Sequence, residues 1–561
     1  MLLKRSSLVL LTIVVLALFL RVYGINWDQN QHLHPDERFL TMTTEKLEVD
    51  ESFTKYLDPR TSTMNPYNKD VSFYVYGLLP ITIVKLAAIY TNNHSYGGIA
   101  LIGRFISALF DIGTVLFIYK LLLLLKKRIK MPWFVVFLGP LFYAIFVLGI
   151  QLSHFFTVDV FLNFFTLAAL YFSLRFFNDQ NKFDVILTAI FLGVALASKI
   201  SAVYILPLLL FLVVVPRKRM GFLSREYILK KSVVLLLIGI FSYGTLRIAD
   251  PHLFASHNLF NPSISSQFIN NIKELSHFAS SSAGYFPPSI QWYGRMPFLF
   301  AITNLAIFGV GIPLTLFAIL GIALLLKRGK LEIRVIIFWS LLFFLFQSAR
   351  FSPSMRYFII LYPLLAIFAA YGFYVFLQRF KSQRIKMTIA ITMILLFLSW
   401  PIGFISIYRK LHSRVQASYW INQNIPAGSI IATEHWDDGL PLRLPDIDNN
   451  SYNLVSLPVF GEDTEQKWQE INTALEKSNY IIFSSNRGYG SIMRVPTMYP
   501  KMAQWYEDLF AGKLSFQRIK EFSSFPTWCM PFSAYCISFD DQWSEEAFTV
   551  YDHPKVTIFK K

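Results

Sequence analysis

Long apolar runs, each closed by a cluster of charge, fill the chain from residue 8 to residue 408. They lie near 8–24, 99–125, 131–150, 155–177, 183–198, 200–215, 230–248, 297–326, 333–349, 357–377 and 387–408, and most carry no internal charge. A helix of about 20 apolar residues crosses a hydrocarbon core roughly 30 Å thick, so the pattern predicts about eleven transmembrane helices. The first run follows Lys4 and Arg5 with no small-x-small cleavage site after it. It is therefore expected to stay as a signal-anchor and not to be removed as a signal peptide.

Residues 73–91 are a twelfth apolar stretch, and basic residues decide its placement. With Lys4 and Arg5 inside and 73–91 not crossing, four basic clusters all fall inside. They are Lys126, Lys127, Arg128 and Lys130; Arg217, Lys218, Arg219, Arg225, Lys230 and Lys231; Lys327, Arg328, Lys330 and Arg334; and Arg379, Lys381, Arg384 and Lys386. If 73–91 crosses, all of them move outside. The stretch is therefore predicted as an in-plane or re-entrant helix on the outer face, with Lys85 at the interface. An odd span count also puts the C-terminus outside, leaving three large outer segments: 25–98, 249–296 and 408–561.

From about residue 412 the texture changes. Arg414–Asn424 reads as a short helix, residues 463–477 and 498–511 have helical spacing, and 429–433, 480–484 and 556–559 read as strands. The division is thus a transmembrane domain over 1–408 and an extracytoplasmic α/β domain over 409–561. Cys529 and Cys536 both lie in the second. An oxidising compartment permits a disulfide between them, with two buried thiols as the alternative.

Composition narrows the class. Hydrophobic residues make up 54% of the 561 and charged residues only 16%, against about 25% charged in soluble domains. The net charge of +17 is uneven: residues 1–407 carry +20 and residues 408–561 carry −3. A basic excess confined to the apolar half sets topology. It gives no reason to expect a nucleic-acid partner, and membrane lipids are the expected surroundings.

Candidate chemistry gathers on the outer side. The first outer segment holds His32-Leu33-His34-Pro35-Asp36-Glu37. Adjacent carboxylates there suit a general base or a metal ligand. They equally suit a helix start, with Pro35 in the first turn and acids complementing the dipole. The turn Gln151-Leu152-Ser153-His154 leads to Asp159, either a cap or an active-site acid. Lys199, alone between two apolar runs, either snorkels or holds a phosphate. Arg350, Arg356 and Arg104 are outer-face cations, with Tyr357, His34 and His154 beside them and the acids. Asp111, seven residues after Arg104, is expected to act or to pair with Arg104 or a bundle neighbour. The alternation of His32, His34 and Asp36 leaves a divalent metal open, and no cofactor is assigned. No P-loop, G-x-G-x-x-G or H-E-x-x-H occurs.

Together, "HPDE", "SHFFTVD" and the lone lysine of "ASKIS" resemble the membrane glycosyltransferases of C-type fold. The segments "NPYNKDVSFYVYGLLP", "GRFISALFD" and "MRYFIILYPLL" resemble bacterial and archaeal members of one superfamily in particular. It holds the dolichyl-phosphate-mannose protein mannosyltransferases and the aminoarabinose transferases. The resemblance implies a polyprenyl-phosphate-linked sugar as donor and in-plane helices in the first outer loop. It implies Asp36 as base with Glu37 beside it, Asp159 as second acid, and Lys199 and Arg356 as phosphate-binding cations. The acceptor stays open among lipid, glycan and protein, and the tail is not the sugar-binding module of eukaryotic protein mannosyltransferases. On this reading the protein is a multi-pass plasma-membrane inverting glycosyltransferase with its site outside. The alternative is a transporter or flippase for a lipid-linked saccharide, against which stands the absence of a visible internal repeat.

Overall fold

A computed structural model describes residues 2–129, 131–215, 224–530 and 535–561, with side chains from Ser6 onward. Lys130 and Arg217, Lys218 and Arg219 of the basic clusters lie outside the described residues, as do the side chains of Lys4 and Arg5.

Each of the eleven apolar runs contains helix. Among the described residues six helices are long and apolar enough to cross a bilayer, or eight when each bent pair counts as one. Two runs differ from the single helices predicted. Residues 131–150 form Val135–Ala144 and Val147–Ser153, bent by 55°. Residues 297–326 form Leu299–Val310 and Ile312–Arg328, bent by 115°. Gly311 sits at that second break with φ +91, which glycine adopts without a Cβ penalty, and Pro313 starts the next helix. Hydropathy runs straight through such a corner, so it is invisible in the pattern.

Lipid tails are as apolar as leucine, so helices in a bilayer hold together by close packing. The helices Ile312–Arg328 and Tyr362–Leu377 show how. A Cβ on Gly321 would lie 1.9 Å from the Phe368 carbonyl oxygen, and one on Gly372 2.1 Å from that of Phe317. Elsewhere interlocked rings fill the space, as where Phe110 meets Phe161, Phe164 and Phe165 at 4.5–5.3 Å.

The stretch 73–91 yields the helix Leu78–Tyr90. Thirteen residues make about 20 Å of helix, short of a bilayer core. Lys85 is buried within the protein. Its ammonium lies 3.3 Å from the Glu45 carbonyl oxygen of the helix Pro35–Lys46.

In the C-terminal region β1 (Ile430–Glu434), β2 (Asn453–Leu457), β3 (Tyr480–Phe483), β4 (Gln517–Phe522) and β7 (Val556–Lys560) form one sheet in the order β2-β1-β3-β7-β4. β1 runs parallel to β2 and β3, and β7 antiparallel to β3 and β4. The edge strands β2 and β4 were not legible because most of their residues are exposed, and an edge has no apolar alternation to show. β5 (Thr527–Cys529) and β6 (Cys536–Ser538) pair as a separate hairpin closed by a Cys529–Cys536 disulfide. Trp528 ties the hairpin to the last long helix by donating to the Ser399 carbonyl at 2.6 Å.

The segment 541–553 seats this region on the helix ends. Glu545 accepts from the Met355 N–H at 2.6 Å and from the Ser354 hydroxyl. Gln151 donates to the Phe548 carbonyl at 2.7 Å and to Asp552 at 3.0 Å, and the Tyr408 hydroxyl reaches Asp552 at 2.9 Å. His553 lies between Asp552 and Asp541, at 2.5 and 2.9 Å. Burial opposes its charge, but the two carboxylates outweigh burial and push the imidazole up to about 10. A group raised on folding stabilises fully below its unfolded value, near 6.5, and loses that contribution as pH climbs toward 10. The melting temperature should therefore fall between pH 7 and 10, and His553→Asn should flatten that fall. An equal slope in the variant would show that another group titrates.

Candidate active site

The site is built on the start of the helix Pro35–Lys46. His34 caps it, its Nδ1 accepting from the Glu37 N–H at 3.3 Å, and Pro35 occupies the first turn. The motif is thus a helix start, and that start aims its two acids differently. Successive residues point about 100° apart around a helix, so Glu37 turns into the protein while Asp36 turns toward a half-open centre.

Glu37 is fully buried against Arg104, which donates to it through Nε at 3.0 and 3.1 Å and through Nη2 at 2.5 Å. Arg104 also donates to Asp28 at 2.8 and 3.1 Å and to the Ile25 carbonyl at 2.9 Å, and it lies over the Trp27 ring. The Phe156 N–H gives Glu37 a further bond at 2.7 Å. Asp28, His32 and Glu37 come close enough together to suggest a metal site. The guanidinium already occupies the space between the two carboxylates, so the trio does not fit a metal. The alternating His32, His34 and Asp36 do not converge. His32 packs on Tyr96, whereas His34 lies between Phe155 and Tyr551.

Asp36 pairs with Arg356 across the centre, each about one-quarter exposed. Beside them Lys199 pairs with Asp159 at 2.7 Å. Tyr357 underlies both cations, its ring 5.4 Å from the Lys199 ammonium and 5.6 Å from the Arg356 guanidinium. Asp159 opens the helix Asp159–Asp179, where the dipole favours an anion. Lys199 follows the helix Lys182–Leu196, and Arg356 and Tyr357 lie in the turn Met355–Leu361. Tyr76 completes the wall. Burial, then the charge of Asp36, raise its hydroxyl well above the ordinary tyrosine value. Burial opposes charge on Asp36, but Arg356, then His34 and Lys199, prevail and hold its carboxyl at about 2. Burial brings the His34 imidazole down to about 4, so it is neutral at physiological pH.

The structure therefore gathers Asp36, Asp159, Lys199, Arg356 and Tyr357, with His34 at the rim. It places Glu37 and Arg104 in the buried cluster behind them. His154 is also buried away from the centre, its ring nitrogens 2.8 and 3.0 Å from the carbonyls of Ile150 and Tyr23. Arg350 meets only Gln347, at 3.4 Å, among the contacts described. Asp111 pairs with a bundle neighbour, Arg21, at 2.6 Å, because Arg104 is already spent on Glu37 and Asp28. Tyr76 and Tyr551 have no local signature, since two tyrosines from distant segments become neighbours only through the fold.

The centre holds two cations and two carboxylates, so its formal charge is balanced. An anion that takes either cation from its carboxylate frees an acid beside the Tyr357 ring. If the anion is a lipid phosphate monoester, Arg356→Lys should weaken its binding about tenfold, since the planar two-pronged donor is lost. Calorimetry in nanodiscs checks this, and an unchanged affinity would place the phosphate elsewhere.

Residues 97–243 match the family model described as dolichyl-phosphate-mannose-protein mannosyltransferase. The archaeal oligosaccharyltransferase AglB from Archaeoglobus fulgidus, in complex with an inhibitory peptide and a dolichol-phosphate, has a similar structure. The TM-score is 0.52 at 13% identity, over 97% of this chain and 77% of that one. The Archaeoglobus fulgidus oligosaccharyltransferase in complex with Zn and sulfate gives 0.50 at 12% identity, over 89% and 71%. ArnT from Cupriavidus metallidurans, bound to undecaprenyl phosphate, gives 0.44 at 12% identity, over 92% and 96%. No curated protein sequence matches the chain. In fold the chain is similar to the archaeal oligosaccharyltransferase.

Proposed function

We propose that the protein is an integral-membrane glycosyltransferase that moves a sugar from a polyprenyl-phosphate-linked donor to an acceptor hydroxyl, with inversion, on the outer face of the membrane. The observation that carries this is the paired centre: Arg356 with Asp36 and Lys199 with Asp159 over one tyrosine ring. The mannosyltransferase family match and the dolichol-phosphate in the AglB complex support the donor class. So does an apolar cavity of about 150 Å³ lined by Leu305, Val310, Ala318, Leu364 and Phe368 and reaching Leu361, five residues beyond Arg356. It suits an isoprenoid tail whose phosphate lies at the cations. With eleven spans, the centre and the C-terminal domain 409–561 both face outward, as the placement of the basic clusters favours.

In this reading the donor phosphate draws Arg356 and Lys199 to itself. Asp36, released from the guanidinium that held its carboxyl near 2, becomes a stronger base. The acceptor oxygen attacks the anomeric carbon and its proton passes to Asp36. The bond from that carbon to the phosphate oxygen breaks, and its electron pair stays on the phosphate, where the two cations stabilise it. Asp159, freed from Lys199, orients the acceptor. Glu37 and Arg104 are positioning residues that hold the helix bearing Asp36. No step calls for a metal.

The test is release of free polyprenyl phosphate by protein in nanodiscs, offered polyprenyl-phosphate hexoses and pentoses with membrane-extracted acceptors. Release is expected with at least one donor. Neither binding nor release across the panel would reject the donor class. Tight binding without release under any acceptor would favour transport of the lipid-linked sugar.

A further inference from the structure

Resting on that proposed function, we infer that Trp436 is the platform of an acceptor subsite for a saccharide of more than one sugar unit, so that the acceptor is a glycan. Trp436 follows β1 and is 45% exposed at φ +74. A bulky residue there is a backbone outlier, and such strain persists only where the surroundings impose it.

The surroundings do impose it. Arg487 donates to the Trp436 carbonyl at 2.8 Å. The next two residues, Asp437 and Asp438, are gripped by buried Arg414 at 2.6 and 2.8 Å, and Asp437 also accepts from Ser485. Four side-chain contacts therefore fix a loop whose indole is left in the open, flanked by Phe286 at 5.5 Å and His435 at 5.8 Å.

Its position is informative too. β1 and β3 are parallel neighbours, and the chain leaves β1 for β2 on one side of the sheet and β3 for β4 on the other. Beyond the carboxyl ends of such strands lies the crevice in which open α/β sheets take ligands. Residues 435–438 and 484–487 follow those ends, and their contacts reach the segment that carries Asp36. Asp438 receives Arg38 at 3.0 Å, two residues on from Asp36. Arg487 lies over the Tyr551 ring, and Tyr551 packs on His34 at 4.3 Å.

An exposed indole offers an apolar face beside polar groups, which suits a pyranose: its C–H face stacks and its hydroxyls meet His435 and Asp438. The side chains of Arg487, Tyr551 and His34 intervene between Trp436 and Asp36. One ring on the indole would therefore not itself present a hydroxyl to Asp36, and a further unit must span the gap.

The test measures binding apart from chemistry. Asp36→Asn protein in nanodiscs is offered linear gluco- and manno-oligosaccharides of one to six units, read by saturation-transfer NMR and calorimetry. Affinity should rise from one unit to three or more. Trp436→Ala and Trp436→Gly should each weaken binding about tenfold, the loss of one aromatic stack, while Trp436→Phe largely restores it. Trp436→Gly separates function from folding, because glycine relieves the positive φ and its melting temperature should not drop. Binding that Trp436→Gly leaves unchanged, or no binding of any oligosaccharide by protein with Trp436 intact, overturns the platform. Binding that depends on Trp436 while no donor supports turnover upholds it and rejects only the transferase reading.

Discussion

Asp36→Asn should abolish sugar transfer while leaving donor binding equal to or tighter than that of the unaltered protein. Asparagine is nearly isosteric with aspartate, so the helix start at Pro35 and its His34 cap remain. Two things change. The acceptor proton loses its acceptor, which costs general-base catalysis of about 10²–10⁴-fold. Arg356 also loses its resting counter-ion, so a donor phosphate no longer competes with a carboxylate for the guanidinium. Turnover should therefore fall while donor affinity holds or rises, which a merely destabilising substitution cannot produce. Polyprenyl phosphate release and calorimetric donor binding on the same nanodisc preparation provide the check. Turnover within tenfold of the parent would remove Asp36 from the base role and leave Asp159 as the acid to examine.

How much of this was legible in the sequence depended on whether a feature is local. Apolar runs and basic clusters are local, so the helices could be placed within a few residues. The corner at Gly311 was missed because one backbone angle leaves the hydropathy of its neighbours unchanged. "HPDE" announced a helix start and two acids. Which acid faces the centre is a matter of helical phase against the rest of the bundle, and only Arg104 and Phe156 decide it. Pairs such as Arg356 with Asp36, 320 residues apart, carry no spacing that reasoning on one segment can find. Lys199 and Asp159 were each singled out for being charged beside apolar runs, a signal that marks cost and not partnership. Trp436 had no signal at all, because exposure and a positive φ exist only once β1 and β3 lie side by side.

Arg104→Leu should cost the protein its fold, about 3–5 kcal/mol, and not just its substrate. In this variant Asp28 and Glu37 stay fully buried with only weak compensation, chiefly the N–H groups of Phe156 at 2.7 Å and Leu33 at 3.3 Å. Two uncompensated carboxylates in one apolar pocket repel each other and cannot reach water. Removing the acids at the same time, as Asp28→Asn, Glu37→Gln and Arg104→Met together, should recover much of the loss, because the charges leave as a set. Glu37→Gln alone keeps a hydrogen bond to Phe156 but loosens the tie to Arg104. It should slow turnover by shifting the helix that carries Asp36, with donor affinity little changed. Melting temperature and donor affinity, measured on all three variants, distinguish a positioning cluster from a binding site. A stable Arg104→Leu protein that had lost its donor would put Arg104 at the phosphate, and the division of labour between Asp36 and Glu37 would have to be redrawn.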